Sequence, residues 1–189
     1  MPNAAPIAER NRNRSYEEAV AAFGPALGRL ALAWEADSDL RRDLLQEIHI
    51  ALWRSLEAFD GRCSLRTWVY RVAHNTAASH VAAQIRRSKR TFVGLDELAE
   101  LPDHDSGEAA AGERDAIGRL YALIGQLKPL DRQVMLAYLE GMDAAATAEI
   151  TGLSPGNVAV KIHRIKHLLA QHLNPKAQPA TAPAKEGAR

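Results

Sequence analysis

The sequence predicts an all-α protein of two small helical domains joined by a flexible acidic linker. Three observations predict it. Apolar residues recur at helical spacing, and no segment alternates as a strand would. Charge is segregated: residues 61–95 contain no aspartate or glutamate, whereas residues 91–116 hold eight acidic residues and one arginine, Arg114. Near the C-terminus a short helical segment, a glycine turn and a proline-started basic segment follow one another, the pattern of a helix-turn-helix.

The composition narrows the class of protein. A net charge of +1 conceals that segregation, and 47% hydrophobic residues suffice for real cores. Cys63 is the single cysteine, so neither a disulfide framework nor a cysteine-based zinc site is available. The first residues, MPNAAPIAERNRNRS, lack the apolar core of a signal peptide. No apolar run approaches the ~18 residues of a membrane span. The expectation is a soluble, cytoplasmic protein with no membrane insertion of its own.

Residues 1–14 are polar and contain proline, which predicts a disordered arm. A first domain is expected over 15–90. Ser15 with Glu18 reads as a capping box opening a helix through Trp34, and Gly24-Pro25 should kink or split it. Asp37, Ser38 and Asp39 are each available to cap the next helix, Leu40 to Ala58. That helix has a buried stripe of Leu44, Leu45, Ile48, Leu52 and Leu56. Asp43, Gln46, Glu47, Ile50 and Arg54 lie opposite, an acidic face with one isoleucine, beside Trp53. After the turn at Phe59-Asp60-Gly61 comes the basic helix. Its wheel places Leu65, Trp68, Val69, Val72 and Thr76 inward, and Thr67, Tyr70, Arg71 and His74 outward. A cationic outer face bearing aromatics suits a nucleic-acid backbone.

Residues 91–112 are the acidic linker, interrupted by Pro102, Gly107 and Gly112. The second domain, 113–173, opens with a stripe of Ile117, Leu120, Tyr121, Ile124 and Leu127, which stops at Lys128-Pro129. Val134, Met135, Tyr138 and Leu139 form the next stripe, ended by Gly141. Asp143 to Thr151 is a short helix. Gly152 supplies the positive φ of a tight turn, Ser154 caps, and Pro155 starts a helix to Leu173. Val158, Ile162, Ile165 and Leu169 point inward. Ala159, Val160, His163, Arg164 and His167 point outward, flanked by Lys161 and Lys166. Residues 174–189 have no apolar period and are expected to be disordered.

No phosphate loop, metal spacing or catalytic constellation is visible, so the reading is a protein that is not an enzyme and uses no cofactor. His163 and His167 lie one turn apart without a third ligand nearby.

The stretch DLLQEIHIALWRSLEAFDGRCSLRTWVYRVAHNTAASHV, Asp43 to Val81, resembles region 2 of the extracytoplasmic-function sigma factors. Leu127 to Leu169, including EGMDAAATAEITGLSPGNVAVKIHRIKHLL, resembles region 4 of the same family. The resemblance implies an alternative sigma factor that binds core RNA polymerase and recognises the −35 and −10 elements of promoter DNA. It implies that Asp43, Gln46, Glu47 and Ile50 dock on the clamp helices of the largest polymerase subunit, and that region 4 meets the flap of the second largest. Arg66, Trp68, Arg71, His74 and Asn75 fall where relatives melt the −10 element and hold an unstacked base, while Arg86, Arg87 and Arg90 would follow the upstream backbone. Asn157, Ala159, Val160, Lys161, His163 and Arg164 would read the −35 element. An anti-sigma factor is an implied partner. Where relatives often carry a basic and a small polar residue, this chain has Ala159 and Val160, which points to apolar contact with thymine methyls. Where relatives commonly carry paired glutamates, DAAATAEITG is alanine-rich. The alternative is a stand-alone helix-turn-helix regulator, which leaves the first domain idle.

Overall fold

The computed structural model describes residues 5–88 and 113–173, with the backbone alone for 5–9, 87, 88 and 113–115. Every regular element among them is helical. The first unit comprises α1 (Ala5–Trp34), α2 (Ser38–Ser55), a 3₁₀ turn (Leu56–Ala58) and α3 (Leu65–Ser88). The second comprises α4 (Glu113–Gln126), α5 (Pro129–Leu139), α6 (Ala144–Thr151) and α7 (Pro155–Leu173). The expected linker, 91–112, and tail, 174–189, lie outside the described residues.

Two expectations for the N-terminus are corrected. Ser15 is inside α1 rather than at its start, and residues 5–14 of the supposed arm are helical. The cause is tertiary. Arg12 stacks 3.7 Å from the centre of the Trp53 ring and bonds Glu57 at 3.0 Å, while Asn13 Oδ1 accepts the Trp53 indole N–H at 2.8 Å. Polar residues with no apolar period become helical when a neighbouring helix gives them partners. Nor does Gly24-Pro25 split the helix. Gly24 has no Cβ to meet the proline ring, and Ala21 and Pro25 are exposed, so the carbonyl that loses its N–H partner faces water.

The turn into α2 is capped by Asp37, whose Oδ1 accepts from the amides of Asp39 and Leu40 at 2.9 and 3.0 Å. The predicted stripe of α2 is buried at Leu44, Ile48, Leu52 and Leu56. In the second unit Tyr121, Ile124 and Leu127 are buried as expected, but α5 turns inward Leu136 and Ala137 beside Val134 and Met135. Tyr138 and Leu139, expected inside, are exposed. The phase differs because α5 packs on α3 as well as on its own unit.

The two units share one apolar core. Helix α3 lies between α1 and α2 on one side and α6 with α5 on the other, and α1 also meets α4. The approach of α4 to α1 is close: a Cβ on Gly125 would stand 3.2 Å from the Ala33 carbonyl oxygen. Arg132 of α5 seals this seam. Fully buried, it lies 4.6 Å over the Trp34 ring and donates to the Leu127 carbonyl at 3.1 Å, to the Gly125 carbonyl, and to the Trp34 carbonyl at 3.5 Å. These carbonyls sit at or just beyond the C-terminal ends of α4 and α1, where the helix dipole favours a cation. Arg132→Ala should lower the unfolding free energy by about 3 kcal/mol, since several charge-assisted bonds to buried carbonyls are lost together. A urea titration would show it as a lower midpoint at unchanged m-value.

Candidate nucleic-acid interface

Helix α7 is built as the sequence predicts. Gly152 ends α6 at φ 74°, and the Ser154 hydroxyl accepts the Asn157 amide at 3.3 Å. Val158, Ile165 and Leu169 are buried. Asn157, Ala159, Val160, His163, Arg164 and His167 are exposed. Val160, at 59% exposure, stands clear of the core in the middle of that face. Lys161 is different. It is half-buried and reaches Asp131 at 2.5 Å, tying α7 to α5. Lys166 meets the Tyr138 hydroxyl at 3.1 Å.

The basic helix α3 departs further from its wheel. Its expected inner side is inside: Val69 is buried, and Leu65, Trp68 and Val72 pack against the core. Its expected outer side is largely inside too. Thr67, Tyr70 and His74 are at most 3% exposed. His74, expected at the DNA, has its ring 6.3 Å from both Trp34 and Tyr70, and neither ring nitrogen has a hydrogen-bond partner. Burial pushes its pKa down to about 3. The wheel failed because it assumed one covered side, whereas α3 is covered by both units.

Trp68 is half-buried, its indole N–H bonded to the Ser55 hydroxyl at 3.0 Å and its ring 5.4 Å from Phe59. Arg71 stacks 5.6 Å from the Trp68 ring and donates to Cys63 Sγ at 3.1 Å. Asn75, one turn beyond Arg71, is exposed, as is Arg86 near the far end. Arg87 lies in α3 without a described side chain, and Arg90 lies outside the described residues. Arg66 is turned toward the second unit and donates to the Glu140 carbonyl.

Glu140, just past the end of α5, gathers the seam. Its carboxylate takes two bonds of 2.7 Å from Arg29 of α1 and lies close to the Tyr70 phenol of α3. The Arg29 hydrogen bonds hold its carboxyl below the usual range. Burial, and then the Glu140 charge, push the Tyr70 phenol up. None of Glu140, Arg29, Arg132 and Trp34 was singled out from the sequence. The one available signal was Arg132, a charge inside the apolar run PLDRQVMLAYL.

On α2, Asp43, Gln46, Glu47 and Ile50 are all exposed and occupy one face at i, i+3, i+4 and i+7. Glu47 is held by His80 of α3 at 3.0 Å, whose other nitrogen meets Gln84 at 2.7 Å. Trp53 is half-buried beneath Arg12. Among the described residues no group of three His, Cys, Asp or Glu could hold a metal ion, and no helix is long and apolar enough to cross a membrane.

A helix-turn-helix with an exposed basic second helix, joined to a bundle with an acidic helix face and an arginine-bearing one, is the architecture of a two-part DNA-binding protein. The comparisons carry this to the family. Sigma-70 region 2 matches residues 19–89, and Sigma-70 region 4 matches residues 117–169. The chain is 32% identical over 144 residues to the ECF RNA polymerase sigma-E factor of Haemophilus influenzae, covering 70% of this chain and 74% of that one. It is 26% identical over 174 residues to the RNA polymerase sigma-H factor of Pseudomonas aeruginosa, covering 88% and 90%. Its fold is similar to that of CnrH in complex with the cytosolic domain of CnrY, with a TM-score of 0.62, 22% identity and coverage of 93% and 100%. It is likewise similar to the sigma factor RpoE in complex with the anti-sigma factor NepR from Bartonella quintana, with a TM-score of 0.63, 19% identity and coverage of 86% and 98%. The chain belongs to the extracytoplasmic-function sigma factors of the sigma-70 family. Its function is that of an alternative sigma factor in transcription initiation, and the stand-alone regulator is not favoured, because the region 2 match falls on the half that reading leaves idle.

The burial of His74 predicts a pH dependence. A histidine whose folded pKa lies below its unfolded value contributes stability above pH ~6.5 and loses it as pH falls toward about 3. One proton corresponds to at most ~1.4 kcal/mol per pH unit. His74→Phe should remove up to that much slope from the unfolding free energy between pH 6.5 and 5, measured by urea melts at fixed ionic strength.

Proposed function

We propose that the chain divides its work between three faces. The α2 stripe of Asp43, Gln46, Glu47 and Ile50 docks on the clamp helices of the largest polymerase subunit. The second unit meets the flap of the second largest subunit and reads the −35 element with Asn157, Ala159, Val160, His163 and Arg164 of α7. The α3 surface at Trp68, Arg71 and Asn75, with Arg66, melts the −10 element, and Arg86, Arg87 and Arg90 follow the upstream backbone. The functional units are 15–90 and 113–173, with 91–112 joining them, and the chain works in the cytoplasm.

The observation that supports this best is that an acidic, isoleucine-bearing stripe and a cationic recognition helix stand exposed on one chain. A simple duplex binder needs the second and has no use for the first. At α7, Arg164 can meet a phosphate or a guanine, and Val160 can meet a thymine methyl. At α3, the Asn75 amide both donates and accepts, as an unpaired base edge requires, beside an arginine already stacked on Trp68. An anti-sigma factor is proposed as a partner because RpoE of Bartonella quintana was solved with one.

Asp43→Lys combined with Ile50→Lys should weaken binding to core polymerase by at least ~30-fold, the scale of losing a hot spot. Helix content should be unchanged, since both side chains are exposed. Fluorescence anisotropy of the labelled chain titrated with core enzyme would read it, and wild-type affinity would exclude that face.

Asn75→Ala should leave core binding and closed-complex formation intact yet reduce strand opening. Permanganate reactivity of unpaired thymines measures opening directly. A pre-melted bubble template should restore part of the lost transcript, and wild-type opening would remove Asn75 from the melting site.

A further inference from the structure

We propose that Ser55 is a positioning residue for strand opening: its hydroxyl sets the orientation of the Trp68 indole. The inference rests on the role proposed above for α3 and adds a residue to it. Ser55 is the last residue of α2. Its hydroxyl donates to the Leu52 carbonyl at 2.9 Å, one turn back in the same helix, and accepts the Trp68 indole N–H at 3.0 Å. A hydroxyl has a single hydrogen, and here the carbonyl takes it. What Ser55 turns toward α3 is therefore an acceptor, matched to the one donor that an indole owns.

Packing alone does not fix that ring. Trp68 is half-buried, and a large side chain on a partly open helix face has more than one staggered rotamer available. Phe59, just past the 3₁₀ turn, lies 5.4 Å away with the ring planes 56° apart, which limits the indole on one side only. A directional bond from the end of the neighbouring helix selects among the remaining orientations. Arg71, one turn along α3, stacks 5.6 Å from the same ring and donates to Cys63 Sγ at 3.1 Å. Its stacking depends on where the indole lies, so Ser55 acts on two groups of the opening surface through one bond.

The same bond decides what Trp68 can read. An indole has one polar hydrogen and no acceptor. With that hydrogen held by Ser55, Trp68 has nothing left to offer a base edge except its ring. Stacking tolerates every base, because each has a π-face. Discrimination on this part of α3 then falls to Asn75, which is exposed and whose amide both donates and accepts. Ser55 thus makes Trp68 a stacking platform and keeps it from reading sequence.

The test uses the full-length chain. In nitrogen-15-labelled protein, Ser55→Ala should shift the Trp68 indole N–H resonance and speed its exchange with water. That resonance is the one missing from Trp68→Phe. With core polymerase, Ser55→Ala should keep wild-type core affinity and closed-complex formation. Its rate of strand opening, read by permanganate, should fall about fivefold, the factor of one neutral hydrogen bond. Ser55→Thr keeps the hydroxyl and should restore the rate. Trp68→Phe keeps a ring but has no N–H to hold, so it should lose about as much as Ser55→Ala, and the two together no more. If Ser55 only ended α2, its loss would add in full to that of Trp68→Phe. An indole resonance unmoved by Ser55→Ala would overturn the bond. Wild-type opening by Ser55→Ala, or additive losses in the double variant, would overturn the positioning. A Trp68→Ala chain that opens promoters like wild type would instead overturn the role of α3 in opening, while the resonance would still decide whether Ser55 holds the indole.

Discussion

Glu140 ends α5 with its carboxylate between Arg29 and Tyr70 and its carbonyl against Arg66, so the last turn of one unit is bound to two helices of the other. Polar contacts between the two units converge on that meeting point. With Glu140 there, α5 and α6 lie along α3, Arg132 is carried to the end of α1, and Gly125 must be small enough to let α4 approach Ala33. The remaining seam contacts follow from that placement.

Magnitudes separate what holds the seam from what positions it. The Arg29 side chain is 45% exposed, so its pair with Glu140 is screened and contributes on the order of 1 kcal/mol or less. Trp34 and Tyr70, at 3% and 1% exposure, each gain about 1.5–3 kcal/mol from full burial of a large side chain. Apolar burial therefore supplies most of the cohesion, although part of it belongs to the first unit alone. The charged groups select one register among several apolar ones, and their loss leaves buried carbonyls and a carboxylate without donors.

The same division of contacts decides which helix faces stay exposed. The α2 stripe and the α7 face belong to helices whose inner sides are satisfied within their own units, so they stay exposed. Helix α3 is shared. Arg66 meets the second unit at the Glu140 carbonyl, whereas Trp68 and Arg71 find their partners at Ser55, Phe59 and Cys63 of the first. Asn75 and Arg86 remain outside the seam, while Tyr70 and His74 lie within it.

Local chemistry was legible in the sequence wherever one residue suffices to decide it. Gly152 required a left-handed turn, Ser154 and Pro155 started α7, Asp37 was among the available caps of α2, and the stripes Leu44–Leu52 and Val158–Leu169 had one covered side, which period alone reveals. The family followed from the same stretches. Tertiary structure decided the rest. The N-terminal part of α1 is helical because Arg12 stacks on Trp53 and Asn13 accepts its indole N–H. Tyr138 and Leu139 are outside because α5 also faces α3. His74 is buried because Trp34 of α1 packs against a side that a single-helix wheel can only label outward. A helical period records how many sides of a helix are apolar but not how many neighbours it will have, and an arginine or glutamate that will bridge two units looks in sequence like any solvated charge.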